Sequence, residues 1–207
     1  MARRVEPDLI DKNRMRILKT AKELFIQDGI QNTKINDIAK QAGMSKSTLY
    51  VYFRSKEDIM NFLSLEAMNF FHNELSTRLK NSKATFHDKY MEICNVMVEF
   101  KTEYPLSFQL IVEEICVEEE SLRENKVLLE IYELGEKINQ LIVKVMTENN
   151  QMENSQNLIA KIFSQWGCIF GLIVLADNKE AYIEKVMHMT KAEFLRQGFE
   201  QLFTSIA

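Results

Sequence analysis

Gly43-Met44-Ser45-Lys46-Ser47-Thr48-Leu49-Tyr50-Val51-Tyr52-Phe53 is the stretch that decides the fold of this 207-residue chain. Gly43 sits where a turn needs a positive φ, which costs little only in the absence of a Cβ. Upstream, Ile35, Ile38, Ala39 and Ala42 form one helical stripe. Ala39 is small enough for two short helices to cross at close range. Downstream, a second short helix starts near Ser45 or Lys46, and Leu49 supplies its inward wedge. This is the pattern of a helix-turn-helix, whose second helix projects toward a major groove. Further upstream, Ile17, Leu18, Ala21, Leu24 and Phe25 share one face of a helix that Gly29 ends.

The projected helix carries chemistry suited to a duplex. Ser45, Lys46, Ser47 and Thr48 offer small donors and one cation to base edges or phosphate oxygens. Tyr50 and Tyr52 add phenolic hydroxyls at the groove rim, and Lys56 adds a charge for the DNA backbone. Thr33 and Lys34 precede a helix N-terminus, which favours a phosphate. Arg3 and Arg4 either enter an adjacent minor groove or form a basic leader. Charge follows the same division. Residues 1–60 hold 12 Lys and Arg against 8 Asp and Glu, a net +4, and the rest of the chain is −8, for −4 in all.

Residues from about Arg14 to Met60 resemble the DNA-binding domain of the TetR family of bacterial repressors. Gly43 to Phe53 with Ser55-Lys56-Glu57, and Ala21-x-x-Leu24-Phe25-x-x-x-Gly29 before it, carry the likeness. One departure is Val51, where many members have a polar or aromatic residue such as His. The chain reads as all-α, an N-terminal three-helix helix-turn-helix domain followed by a C-terminal helical bundle, about nine helices in total; the resemblance implies a homodimer built through the last two of them and a ligand cavity in the body.

The domains expected are 1–54, the helix-turn-helix, and 55–207, for ligand binding and dimerisation. Ser55 reads as the N-cap of a long helix and Pro105 as the first residue of another. The helices expected in the body are 56–80, 85–103, 106–116, 121–149, 155–176 and 179–204. Soft and aromatic side chains crowd this region, and Phe62, Met91, Cys94, Met97, Phe100, Phe108, Tyr132 and Trp166 are candidate pocket residues. Glu92, Glu99 or Glu113 in such a pocket would select a cationic guest; otherwise each forms a surface ion pair. Gly167 and Gly171 are spaced for close helix approach, within the subunit or across a dimer. With Phe170, Val174, Met187 and Phe194 they make the candidate dimer face.

Six Gly and two Pro disfavour an all-β chain. Cys94, Cys116 and Cys168 are dispersed, as suits reduced thiols in the cytoplasm. The longest apolar run, Trp166–Ala176, is short for a bilayer, and the first residues lack a signal-peptide core. His72, His87 and His188 have no metal spacing, and Glu118-Glu119-Glu120 reads as a helix start, so no metal or cofactor is expected. No phosphate loop or nucleophile elbow is visible, and an enzyme is not expected. The function expected is a ligand-responsive DNA-binding transcriptional repressor, held on a palindromic operator as a homodimer and released by a small apolar or cationic effector. The competing reading is a DNA-bound module that docks another protein and has no effector.

Overall fold

The computed structural model describes residues 7–81, 83–113, 119–148 and 156–206. Arg3, Arg4, Cys116 and Glu118 lie outside them, as do the side chains of Glu113, Glu119 and Glu120. The described residues form eleven helices and no strand. The first four are α1 (Pro7–Asp28), α2 (Ile35–Gln41), α3 (Lys46–Tyr52) and α4 (Lys56–Arg78). Then come α5 (Phe86–Glu103), α6 (Pro105–Glu113), α7 (Glu119–Glu124) and α8 (Lys126–Glu148). The last are α9 (Gln156–Asn178), α10 (Glu180–Val186) and α11 (Lys191–Thr204).

Two helices expected to be continuous are broken, each by local chemistry. Asn125 separates α7 from α8, and its Oδ1 accepts from the amides of Val127 at 3.0 Å and Leu128 at 3.4 Å, a side-chain cap. The 179–204 stretch divides at His188, whose φ of 54° no helix continues. Thr190 then starts α11 through a reciprocal box with Glu193. Ser55 caps α4 as expected, accepting from the Asp58 amide at 3.1 Å.

By packing, the chain divides into two units. One is Met1–Ala67 with Leu106–Ile131, and the other is Met68–Pro105 with Tyr132–Ala207. The expected break at 54/55 assigns α4 wholly to the body, but Ile59 and Leu63 are buried in the core of the first unit. That core joins Ile17, Ala21 and Phe25 of α1 to Ile38 and Ala39 of α2, Leu49 of α3, and Phe53. Gly43 turns the chain between α2 and α3 at φ 67°, with open space where a Cβ would stand.

In the second unit α9 packs on α5 and α11. The close approach is at Gly198 of α11, where a Cβ would come within 2.9 Å of Leu172 Cδ1. Gly167 and Gly171 meet nothing within 4 Å, so the alternative of a tight contact inside the subunit does not hold for them. A polar chain runs from this core to the surface. The Tyr90 hydroxyl donates to Gln165 Oε1 at 3.0 Å, and Gln165 Nε2 donates to Ser205 Oγ at 3.0 Å. Burial pushes the Cys94 thiol from its ordinary 9.0 up to about 12. Burial, and then the neighbouring Cys94, holds the Tyr90 phenol well above its ordinary 10.0.

Two outcomes test this packing. Gly43→Ala places a Cβ at a left-handed backbone position and costs about 1–2 kcal/mol with no steric clash, while Gly43→Asn costs less; urea denaturation of both variants measures it. The second concerns alkali. Cys94 and Tyr90 keep protons in the folded state that the unfolded chain releases above about pH 9. Their contribution is therefore complete below that pH and is lost as pH rises, so the urea midpoint holds to about pH 9 and falls beyond it.

Candidate nucleic-acid interface

Helix α3 has only two turns, and Leu49 and the following Phe53 bury its inner side. A helix this short does not form alone, so packing sets its direction. Ser45 caps it: Ser45 Oγ accepts the Thr48 amide at 3.1 Å and lies 2.8 Å from both the Ser47 and Thr48 hydroxyls. With Leu49 inward, the 100° step per residue puts Ser47 and Val51 outermost. Val51 is 79% exposed. Lys46 and Tyr50 form one flank, with Lys46 Nζ 5.7 Å from the Tyr50 ring centre. Thr48 and Tyr52 form the other. Ser45, Lys46, Ser47, Thr48 and Tyr50 are all exposed, and Tyr52 is half-buried.

The other expected contacts lie differently. Thr33 is 3% exposed. Its hydroxyl donates to the Gly29 carbonyl at 2.9 Å and lies 3.4 Å from that of Leu24, so it ties the α1–α2 turn rather than facing outward. The Lys56 ammonium donates to the carbonyls of Ile30 at 2.6 Å and Thr33 at 3.2 Å. The charged donor satisfies two carbonyls of the α1–α2 turn and bolts the start of α4 to it. Lys34 is exposed, and its amide donates to Asp37 Oδ2 at 3.3 Å. Two supports went unread in the sequence. Arg14 lays its guanidinium 3.8 Å from the Phe62 ring centre and 5.4 Å from that of Phe53. Asn13 Nδ2 donates to the Tyr52 hydroxyl at 2.8 Å.

The second unit holds a cavity of about 10 Å³, the space of one water. Tyr90, Ile93, Met97, Ile142, Met146, Ile162, Gln165, Trp166 and Ile169 line it. Of the expected pocket residues, Met97 and Trp166 are therefore together. Cys94 and Phe100 are buried in the same unit, with Phe100 against Phe71 at 4.9 Å; Met91 is half-buried and Tyr132 exposed. Phe62 and Phe108 belong to the first unit, where Phe62 is covered by Arg14 and meets Phe53 edge-on at 5.5 Å. Glu92 and Glu99 both bond to Arg78, as does Glu74, which raises the guanidinium pKa through Glu99 first. Their carboxylates are thus engaged in the ion-pair alternative. Of the residues expected on a dimer face, Gly167, Gly171 and Met187 are exposed, while Phe170, Val174 and Phe194 are half-buried.

Residues 17–62 match the model of the bacterial regulatory proteins of the tetR family. The matched segment is the helix-turn-helix together with the second half of α1 before it and the start of α4 after it. A helix-turn-helix-type transcriptional regulator of Staphylococcus aureus strain MRSA252 is 28% identical over 107 residues, 52% of this chain and 54% of the relative. One from strain bovine RF122 is 29% identical over the same lengths. The chain thus spans about half the length of the curated relatives it matches. The likeness of fold extends over nearly the whole chain. The fatty acid degradation regulator FadR of Bacillus halodurans superposes with a TM-score of 0.64 at 16% identity, covering 97% of this chain and 96% of that one. FadR of Bacillus subtilis, solved in complex with stearoyl-CoA, gives 0.64 at 19% identity over 91% and 96%. PfmR of Thermus thermophilus, a TetR-family regulator, gives 0.63 at 17% over 90% and 96%.

Lys56→Met removes a charged donor from two carbonyls and lowers stability by about 1.5–3 kcal/mol, measured by urea denaturation. Thiol labelling of the native protein followed by peptide mass analysis spares the buried Cys94, which reacts only after unfolding.

Proposed function

We propose that this chain is a homodimeric DNA-binding transcriptional repressor of the cytoplasm, released from a palindromic operator by a small apolar effector. The observation that carries the reading is the exposed stripe of α3. Ser47 and Val51 face outward between the Lys46–Tyr50 and Thr48–Tyr52 flanks, all preset by Leu49 and the Ser45 cap. Small hydroxyl donors in the centre suit base edges, and cation and phenol at the sides suit phosphates. Val51 offers a methyl surface, which fits a thymine methyl rather than a hydrogen bond.

One seven-residue helix buries little DNA, and two-fold pairing places two such helices one helical turn of DNA apart. The second unit supplies a surface for that pairing. Phe163 is 68% exposed on α9, with Ile159, Gly167, Gly171 and Leu175 also exposed there, and Tyr182, Val186 and Met187 are exposed on α10 and at its end. The segment Ile159–Asn178 is long and apolar enough by composition to cross a membrane, yet only 22% of it is buried inside the subunit. A second copy covering this face removes it from water.

The effector reading rests on the cavity of the second unit. Its lining is aliphatic and aromatic, with polar groups only on Tyr90, Gln165 and Trp166. Glu92 and Glu99, the carboxylates that would hold a cation, are paired with Arg78, which favours an uncharged or apolar guest. The B. subtilis FadR structure holds an acyl-CoA, a guest with a long apolar tail. Here a guest must spread the Met97 and Met146 side chains, and only a higher affinity for that opened state would shift DNA binding.

Footprinting on the DNA flanking the encoding gene tests the reading. Protection of an inverted repeat supports it, and no protection of any duplex at low salt refutes it. Ser47→Leu reduces affinity for the repeat about tenfold or more while leaving random-sequence binding unchanged. Phe163→Glu converts the dimer to a monomer in sedimentation velocity. Thermal-shift screening with uncharged apolar compounds raises the melting temperature if the cavity opens; no stabilisation by any favours the effector-free module.

A further inference from the structure

We infer that Asn13 and Arg16 of α1 form, with Tyr52 of α3, a second phosphate grip that continues the Thr48–Tyr52 flank of the reading helix. The inference rests on the DNA-binding reading above and extends it to a helix that carries none of the expected contacts.

The geometry is a relay of three side chains. Arg16 Nη2 donates to Asn13 Oδ1 at 3.0 Å, and Asn13 Nδ2 donates to the Tyr52 hydroxyl oxygen at 2.8 Å. Asn13 and Arg16 are three residues apart on α1 and so share a face. The guanidinium has only donors, which fixes the amide oxygen on its side and turns the amide nitrogen toward the phenol. The phenol oxygen then accepts from Asn13, and its own proton remains to be donated. With an N–H group occupying its inner side, that proton is directed away from α1. Arg16 is exposed and uses one of its five N–H groups on Asn13. The remaining ones match the paired oxygens of a phosphodiester.

Two neighbours sharpen the assignment. Arg14, on the same helix, turns inward over Phe62 at 3.8 Å and serves the core. Arg16 makes no such packing contact among the described residues and holds its charge outward. On α3, Tyr52 lies four residues beyond the exposed Thr48, so both look along one flank, toward one strand of a duplex. The opposite flank is served by Lys46 and Tyr50. The relay thus gives each rim of the groove one phenol and one cation. Tyr52 and Arg16 touch the backbone, and Asn13 is a positioning residue acting through both.

The probe is a fluorescein-labelled 30-base-pair duplex of random sequence, titrated by anisotropy at several salt concentrations against wild type, Arg16→Gln, Arg16→Lys, Asn13→Ala, Tyr52→Phe and the Asn13→Ala/Tyr52→Phe pair. Arg16→Gln is expected to bind several-fold more weakly and to reduce the log–log salt slope by about 0.9, one released counterion per subunit engaged, while Arg16→Lys keeps the slope. Asn13→Ala weakens binding several-fold, and the double variant loses clearly less than the sum of the two single losses, because part of the amide's effect runs through that hydroxyl. Circular dichroism and sedimentation establish that each variant remains folded and dimeric; Arg16→Lys and Tyr52→Phe keep the side-chain volume where the others perturb it. Wild-type binding with an unchanged slope in Arg16→Gln, or additive losses in the double variant, overturns the relay and leaves the regulator reading intact. A wild-type protein that binds no duplex refutes both.

Discussion

The burial of Leu49 is the constraint on which the reading helix depends. Helix α3 is two turns long and has too few internal hydrogen bonds to persist in water. Leu49 and Phe53 enter a core supplied by α1, α2 and the first turns of α4, and that core alone sets where α3 points. Every exposed side chain on it inherits its direction from this one anchor. The consequences run in both directions along the chain. Gly43 must take a positive φ so that Leu49 can reach the core, and Ser45 must cap so that the first amides of α3 are satisfied while its outer side stays free.

The residues around this anchor divide into those that hold it and those that face out, and residue type alone does not separate them. Lys46 and Lys56 are both cations near α3. One lies over an exposed tyrosine ring, and the other bonds two carbonyls in the α1–α2 turn. Arg14 and Arg16 differ in the same way across a half-turn of α1. A cation is drawn wherever carbonyl oxygens, an aromatic face or a carboxylate has been assembled, and assembly is a property of the fold.

The second unit distributes its apolar surface differently. Its interior is closed by aromatic rings, Phe71 against Phe100 and Trp166, and Tyr90 against Phe203, with a single polar chain through Gln165 that leaves its own donors and acceptors matched. Its outer face on α9 and α10 remains apolar. The cavity left in that core has about the space of one water, so the interior is close to full while the outer face keeps apolar side chains in water.

Periodicity and end signals were enough to read the helical class, the Gly43 turn, the Ser55 cap and the Pro105 start, because each depends on neighbours within about four residues. The outward set Ser45 to Tyr50 was legible for the same reason: one inward leucine determines the remaining faces of a short helix. Only the tertiary structure decided the inward turn of Thr33, the bolt of Lys56 and the membership of Phe62 in the first core. The Asn13–Tyr52 contact joins residues 39 apart and has no local signature at all. Such pairings are set by which helices meet and at what angle, and a one-dimensional pattern records the faces of each helix but not the partner each face finds.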